Sequence, residues 1–291
     1  MLPLRHDSED LLRAAGGFIA GLNTSASADL AFQASAPPLG HAVYKITRTN
    51  DVGVPAPVEP LNATNGHLST GILEVELSHE AKAIRSITVN GNTLNFTHGI
   101  IIYQGHHMSG SGAYTFRANT EHERAPKQEV HLVKGPVVSE VREIYKDVGT
   151  LVTRLWKGAD TMEVEWTLAP PPKHTNWEAF IRYESAIASD ELWFTDANGM
   201  EWQQRYRQYR PSYDLLSTSQ RIPGNIYPVT TGAFIKDSSS AVYVSIDRAQ
   251  GCTSLNSGEL DFLVHRGSSG RNCQGMLVAL ESKSENLFSR G

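Results

Sequence analysis

From about Gly40 onward, apolar and polar positions alternate along most of the chain, the period-two signature of strands with one face buried. The alternation runs through HAVYKITR at 41–48, GILEVELS at 71–78, AIRSITVN at 83–90 and QEVHLVKG at 128–135. It resumes in VVSEVREIYKD at 137–147, LVTRLWKG at 151–158, TMEVEWTL at 161–168 and ELWFTD at 191–196. It returns in TGAFIKD at 231–237, AVYVSIDR at 241–248 and ELDFLVHR at 259–266. Turn signals part these runs, among them Asn90-Gly91, Lys157-Gly158 and Asn198-Gly199. Helical periodicity is weak outside residues 8–22, which excludes a parallel α/β fold with its helical crossovers. The pattern predicts a mainly β chain folded as an antiparallel β-sandwich. Two zones break it: 55–67, read as a spacer, and 207–231, rich in Arg, Tyr and Pro and long enough to cross an edge or cover a face.

Composition narrows the function. A net charge of -5 over 291 residues, with signs mixed along the chain, offers no basic stripe to a phosphate backbone, so nucleic acid is not expected as a partner. No apolar run of about 18 residues predicts a membrane-spanning helix. The first residues make a poor leader peptide, since Asp7, Glu9 and Asp10 stand where basic residues belong and Gly16, Gly17 and Gly21 weaken the apolar core. Asn23, Asn62 and Asn95 each open an N-x-[ST] triplet and are candidate glycosylation sites, which favours a secretory or lysosomal route. Cys252 and Cys273 could form one disulfide or remain two thiols.

Local chemistry is sparse. His106, His107, His122 and His131 are candidates for a metal site, but adjacent histidines on an extended chain point to opposite sides, and loop histidines in solvent are the better reading. Glu163 and Glu165 share one strand face, and with Glu184 and Asp190 they read as charges on a wet surface rather than a glycosidase pair. Trp177, Trp193, Trp202, Tyr206, Tyr209 and Tyr213 could build an aromatic platform for sugar faces. The residues alone therefore support a β-sandwich with sugar binding as one option.

Six ordered stretches carry more: APPLGHAVYKI at 36–46, SGAYTFR at 111–117, VVSEVREIY at 137–145, FTDANGMEWQQRYRQYRP at 194–211, GNIYPVTTGAFIKD at 224–237 and DRAQGCTSLNSGELDFLVHR at 247–266. In this order they resemble the C-terminal β-sandwich half of class II α-mannosidases, glycoside hydrolase family 38, nearest the lysosomal type. The resemblance implies a sandwich of the galactose-mutarotase-like, or supersandwich, type with a small N-terminal β piece. It divides the chain into an unmatched segment at 1–28, the end of a small β domain with a spacer at 29–60, and a truncated large sandwich at 61–291.

It also implies a fragment of an enzyme that hydrolyses terminal α-mannosidic bonds of N-glycan oligosaccharides, inactive alone. The implied partners are the α-mannosidase catalytic domain or chain and a mannose-containing oligosaccharide, and the implied location is lysosomal, vacuolar or secreted. Zinc belongs to the missing catalytic domain, so no cofactor is expected in this chain. Tyr114, in the SGAY motif, and Arg266, in LVHR, match positions that border the sugar pocket in the family, and no residue here is assigned as catalytic. After Arg266 the text departs from the family pattern: Gly267 replaces a second arginine, Arg271 and Asn272 stand where acidic residues are expected, and Gln274 precedes Gly275. Beside this departure the expectation is that Cys252 pairs with Cys273 and pins the altered loop. Both ends read as cut relative to the family. The alternative is a stand-alone carbohydrate-binding sandwich without hydrolase activity.

Overall fold

The computed structural model describes residues 2–3, 28–47, 56–105, 116–169, 177–215 and 221–267, with the backbone alone for 2–3, 28–29 and 119–123. Among the described residues the regular structure is antiparallel strand, apart from one short 3-10 turn at Pro223–Asn225. A long central sheet contains, in spatial order, β16 (Tyr227–Val229), β19 (Gln250–Thr253), β20 (Glu259–Gly267), β13 (Trp177–Ser185), β7 (Asn92–Gly105), β6 (Ala83–Val89), β5 (Leu73–Ser78) and β4 (His67–Ser69). β8 (Ala118–Arg124) pairs with the second half of β7. A five-stranded sheet follows the order β12 (Glu163–Leu168), β11 (Gly149–Trp156), β10 (Val138–Tyr145), β9 (Lys127–Lys134) and β3 (Val58–Pro60). A four-stranded sheet follows the order β15 (Glu201–Tyr206), β14 (Leu192–Ala197), β17 (Gly232–Lys236) and β18 (Ala241–Ser245). A two-residue pair, β1 (Leu2–Pro3) with β2 (Ala28–Asp29), stands apart.

Both smaller sheets pack on one face of the central sheet. Leu68, Leu73, Val75, Ile84 and Phe96 of the central sheet meet Val130, Leu132, Val141 and Leu155 of the five-stranded one. Ile100, Ala179 and Ile181 continue that core against Tyr145, Leu151, Trp166 and Leu168. Further along, Leu260, Phe262 and Cys252 meet Trp193, Ala233 and Ile235 of the four-stranded sheet. The opposite face carries Ile101, Tyr103 and Phe180 under Ile222, Leu255 and Phe116. Burial of these side chains drives assembly, since each large apolar side chain removed from water contributes about 1.5–3 kcal/mol.

The turns follow their sequences. Asn90-Gly91 and Asn198-Gly199 both have positive φ at each residue (51° and 78°; 53° and 70°), the geometry of the tight hairpin turn whose twist matches the strands it joins. Asp196 fastens the second of these to the strand that follows. It is 5 % exposed, and its carboxylate accepts hydrogen bonds from the amides of Gly199 (2.8 Å), Thr230 (2.8 Å), Thr231 (3.0 Å) and Gly232 (3.2 Å) and from the Thr230 hydroxyl. The motifs FTDANG and YPVTTG thus meet at one side chain.

The alternation at 41–48 does not produce a strand. Residues 41–47 are irregular and exposed, Val43 and Ile46 included, and among the described residues no strand pairs with them. In the zone at 207–231, Ile222 and Ile226 pack on the far face of the central sheet just before the short β16. Its arginines hold it there: Arg207 Nε donates to Ser254 O at 2.9 Å, and Arg205 and Arg210 stack on the two-sided Tyr227 ring at 4.2 and 4.3 Å. Buried Asn225 accepts from the Gln208 amide at 2.8 Å and donates to Arg221 O at 2.6 Å.

Candidate functional site

The far face of the central sheet carries ionisable groups that a sheet interior seldom holds. Register places Tyr103 opposite Glu178 and Glu178 opposite Arg266 in one row, and Arg182 opposite Asp261 in another. Arg182 reaches Asp261 through Nε and Nη2, both at 2.7 Å, and also donates to the Tyr103 hydroxyl at 3.0 Å and lies 3.0 Å from Glu259. Burial pushes Asp261 up to about 7 even with the guanidinium beside it, and Glu259 adds to the rise. Burial likewise pushes the Tyr103 hydroxyl up. Ile222 and Ile226 pack over the Tyr103 end of this cluster, which reads as an internal brace.

The Glu178–Arg266 pair lies at the end of the face where water reaches. Glu178 is 3 % exposed, whereas the Arg266 side chain is 32 % exposed. Two guanidinium nitrogens, Nε at 2.6 Å and Nη2 at 2.5 Å, donate to the same oxygen, Oε1. The second oxygen, Oε2, is buried and has no hydrogen-bond partner among the described residues. Burial raises Glu178 to about 7, with Arg266 pulling in the opposite direction. The result is a guanidinium held in one orientation at a surface, with a buried acceptor behind it, a geometry suited to hydroxyl-rich ligands.

Arg266 therefore sits in a built pair, while Tyr114, His106, His107, Asn23, Cys273, Arg271, Asn272 and Gln274 lie outside the described residues. Gly105 and Ala118, which stand on either side of the stretch holding Tyr114 in the sequence, pair with each other across β7 and β8. Gly105 is two positions beyond Tyr103, the residue opposite Glu178. β7, which ends at Gly105, is thus the neighbour of the strand that carries Glu178. Glu178 was invisible in the sequence reading because it stands inside WEAFIRYES, a strand buried on both faces.

The other candidates divide cleanly. Asn62 and Asn95 are exposed, and Asn62 Oδ1 accepts from the Thr64 amide and hydroxyl, both at 2.9 Å, within its own triplet. Cys252 is a buried free cysteine. His131 lies 3.3 Å from Glu129, Glu165 forms a partly buried ion pair with Arg154 at 2.7 Å, and Glu184 pairs with Arg124. Among the described residues no three His, Cys, Asp or Glu side chains gather to hold a metal ion. Trp177 and Trp193 are buried in the core, whereas Trp202, Tyr206, Tyr209 and Tyr213 are exposed.

The comparison that decides the family is a match of residues 68–270 to the model described as the glycosyl hydrolases family 38 C-terminal domain. The chain belongs to glycosyl hydrolase family 38. Lysosomal alpha-mannosidase of Cavia porcellus is 30 % identical over 93 % of this family 38 chain and 28 % of its own length. The Homo sapiens protein of the same name is 29 % identical over 90 % of the chain and 28 % of its own length. Alpha-mannosidase of Canavalia ensiformis is 30 % identical over 81 % of the chain and 25 % of its own length. The chain thus spans little more than a quarter of these relatives. An alpha-mannosidase crystal structure from Enterococcus faecalis shares the fold, with a TM-score of 0.54 at 13 % identity over 75 % of the chain and 27 % of that structure.

Proposed function

We propose that this family 38 chain is the sandwich portion of an α-mannosidase acting on terminal α-mannosidic bonds of N-glycan oligosaccharides. In this reading it packs against a catalytic domain that binds the zinc, and it lends Arg266 and Tyr114 to the rim of the sugar pocket. The observation that carries the reading is the Glu178–Arg266 pair, a buried carboxylate orienting a partly exposed guanidinium. The named relatives support the activity, and their lysosomal naming supports the compartment.

The test is complementation. The chain alone, with zinc added, releases no 4-nitrophenol from an aryl α-mannoside. Mixed with the separately produced catalytic portion of a lysosomal relative, it restores turnover, and Arg266→Ala raises KM more than it lowers kcat. Absence of both binding and restoration refutes the reading.

A second reading rests on a separate observation. The outer face of the four-stranded sheet exposes Trp202 (45 %) and Tyr243 (52 %), their rings 5.6 Å apart, beside the stacked pair Phe194–Phe234. Such a row suits a carbohydrate-binding sandwich. Tryptophan fluorescence that shifts with millimolar mannose oligosaccharide, and stays flat in Trp202→Ala, supports it; a flat wild-type signal removes it.

A further inference from the structure

Two arginine–carboxylate pairs lie on the far face of the central sheet, and β13 contributes one partner to each, Glu178 and Arg182. They are built differently. Arg182 sends Nε to Oδ1 of Asp261 and Nη2 to Oδ2, both at 2.7 Å, so each carboxylate oxygen has a donor. Arg266 sends Nε and Nη2 to the same oxygen of Glu178, Oε1, and Oε2 stays buried without a donor.

The flanking strands do not supply one. Tyr103 stands opposite Glu178 on β7, but its hydroxyl receives Arg182 Nη2 at 3.0 Å and points to Asp261 at 3.5 Å. His265, beside Arg266 on β20, turns to the inner core, where its ring meets Trp177 edge-on at 5.8 Å. Glu259 and Asp261, further along β20, gather around Arg182, and Arg117, just ahead of β8, is exposed. None of these groups shifts Glu178; burial pushes it up, and Arg266 is the one charge that opposes the rise.

A charged oxygen shut away from water without a donor is costly, and a proton on it removes the charge. Oε2 can take that proton without disturbing either N–H bond, because Oε1 then serves as the carbonyl acceptor. The pair passes from neutral to singly positive while its geometry stays.

We propose that Glu178 is a proton-loaded positioning residue: with a proton on Oε2 it keeps Arg266 aimed while withdrawing its own counter-charge, so that the guanidinium attracts an electron-rich ligand oxygen, and release of that proton weakens ligand binding. The ligand side of this inference rests on the α-mannosidase reading above, in which Arg266 borders a sugar pocket.

NMR of the full chain labelled with carboxyl-carbon-13 glutamate reports the proton, with Glu178→Gln identifying the Glu178 signal. That signal should pass from its protonated to its ionised position as pH rises through about 7. The Arg266 Nε–H signal, identified by Arg266→Lys, should hold its place throughout. Complementation with the catalytic portion of a lysosomal relative reads the ligand. One pH unit above the midpoint about a tenth of the chains keep the proton, so wild-type KM should rise about tenfold from about pH 6 to about pH 8 relative to Glu178→Gln, whose neutral amide oxygen holds Arg266 at every pH. Glu178→Ala, which removes the hold, should raise KM across the whole range. A Glu178 carboxyl still ionised at about pH 5, an Arg266 signal that shifts with it, or a Glu178→Gln KM that tracks wild type overturns the proposal. Absence of any turnover on complementation removes the α-mannosidase reading instead, and the carbon-13 titration still decides this one.

Discussion

Replacing Asp196 by asparagine isolates the contribution of one charge to the junction between the Asn198-Gly199 turn and β17. With the amide oxygen turned toward Thr230, Thr231 and Gly232, three bonds survive without charge assistance, and the amide nitrogen is left facing the Gly199 N–H, donor against donor. Hydrogen bonds to a charged group contribute roughly 1.5–3 kcal/mol against about 0.5–1.5 for neutral ones, which gives a gross loss of about 4 kcal/mol. Gly199, Thr230 and Thr231 are themselves exposed, so water recovers part of this, and the net expectation is about 2–3 kcal/mol. With a urea m-value of about 3 kcal/mol per molar, the midpoint should fall by roughly 0.7–1 M, followed by tryptophan fluorescence.

The pH dependence gives a second check on Asp196. Burial pushes its carboxyl up, but the Thr230 hydroxyl and the surrounding amides outweigh it and hold the group below the usual carboxylate range. A depressed folded value stabilises above the unfolded value near 3.9 and loses that contribution as pH falls toward the folded value. The gap between wild type and Asp196→Asn should be flat above about pH 5 and narrow below about pH 4. A midpoint shift under 0.2 M, or a gap that widens in acid, refutes the reasoning.

Glu143 lies fully buried between the sheets, 3.3 Å from His98, accepting from Lys127 at 2.6 Å and Tyr145 at 2.9 Å; burial raises it, but His98 and then Lys127 outweigh this and bring it to about 2. Glu143→Ala should cost about 3–5 kcal/mol and roughly 10 °C of melting temperature by calorimetry, with the wild-type advantage lost as pH drops from about 4.5 toward 2. Gly258 has φ +78°, and a Cβ there would stand 2.3 Å from Ser185 O, so Gly258→Ala should destabilise by about 2–4 kcal/mol in urea melts; a loss below 0.5 kcal/mol would contradict the geometry. Burial raises the Cys252 thiol well above its ordinary value, so a thiol reagent should label it only after unfolding, and the total thiol count under denaturing conditions reports whether Cys273 is bonded.

What could be read from the sequence depended on how many faces a strand buries. β5, β10, β11 and β18 alternate in sequence, and each was legible. β7 and β13 form the middle of the central sheet with apolar groups on both sides, so GIIIYQ and WEAFIRY show no alternation and were missed. The 41–48 run alternates, yet residues 41–47 pair with no strand among the described residues, and periodicity alone does not distinguish a strand from an exposed segment with the same spacing. Arg266 was legible through its motif, but its orienting partner Glu178 was hidden in the unread strand, and the Arg182–Asp261 brace is a contact across 79 residues that no local pattern reports.

β20 lies between β13 and β19, in the interior of the central sheet, yet it comes after every other strand described here. Among the described strands, translation therefore delivers a middle stave of this wall after all the others, and until residues 261–263 have emerged from the ribosome Phe180, Ile181 and Arg182 have their β7 neighbours but not those of β20. Such a non-local order makes folding slow and leaves sticky surface on the nascent chain. Stops upstream of residue 259 remove an interior strand of the central sheet and should yield degradation rather than a smaller folded product.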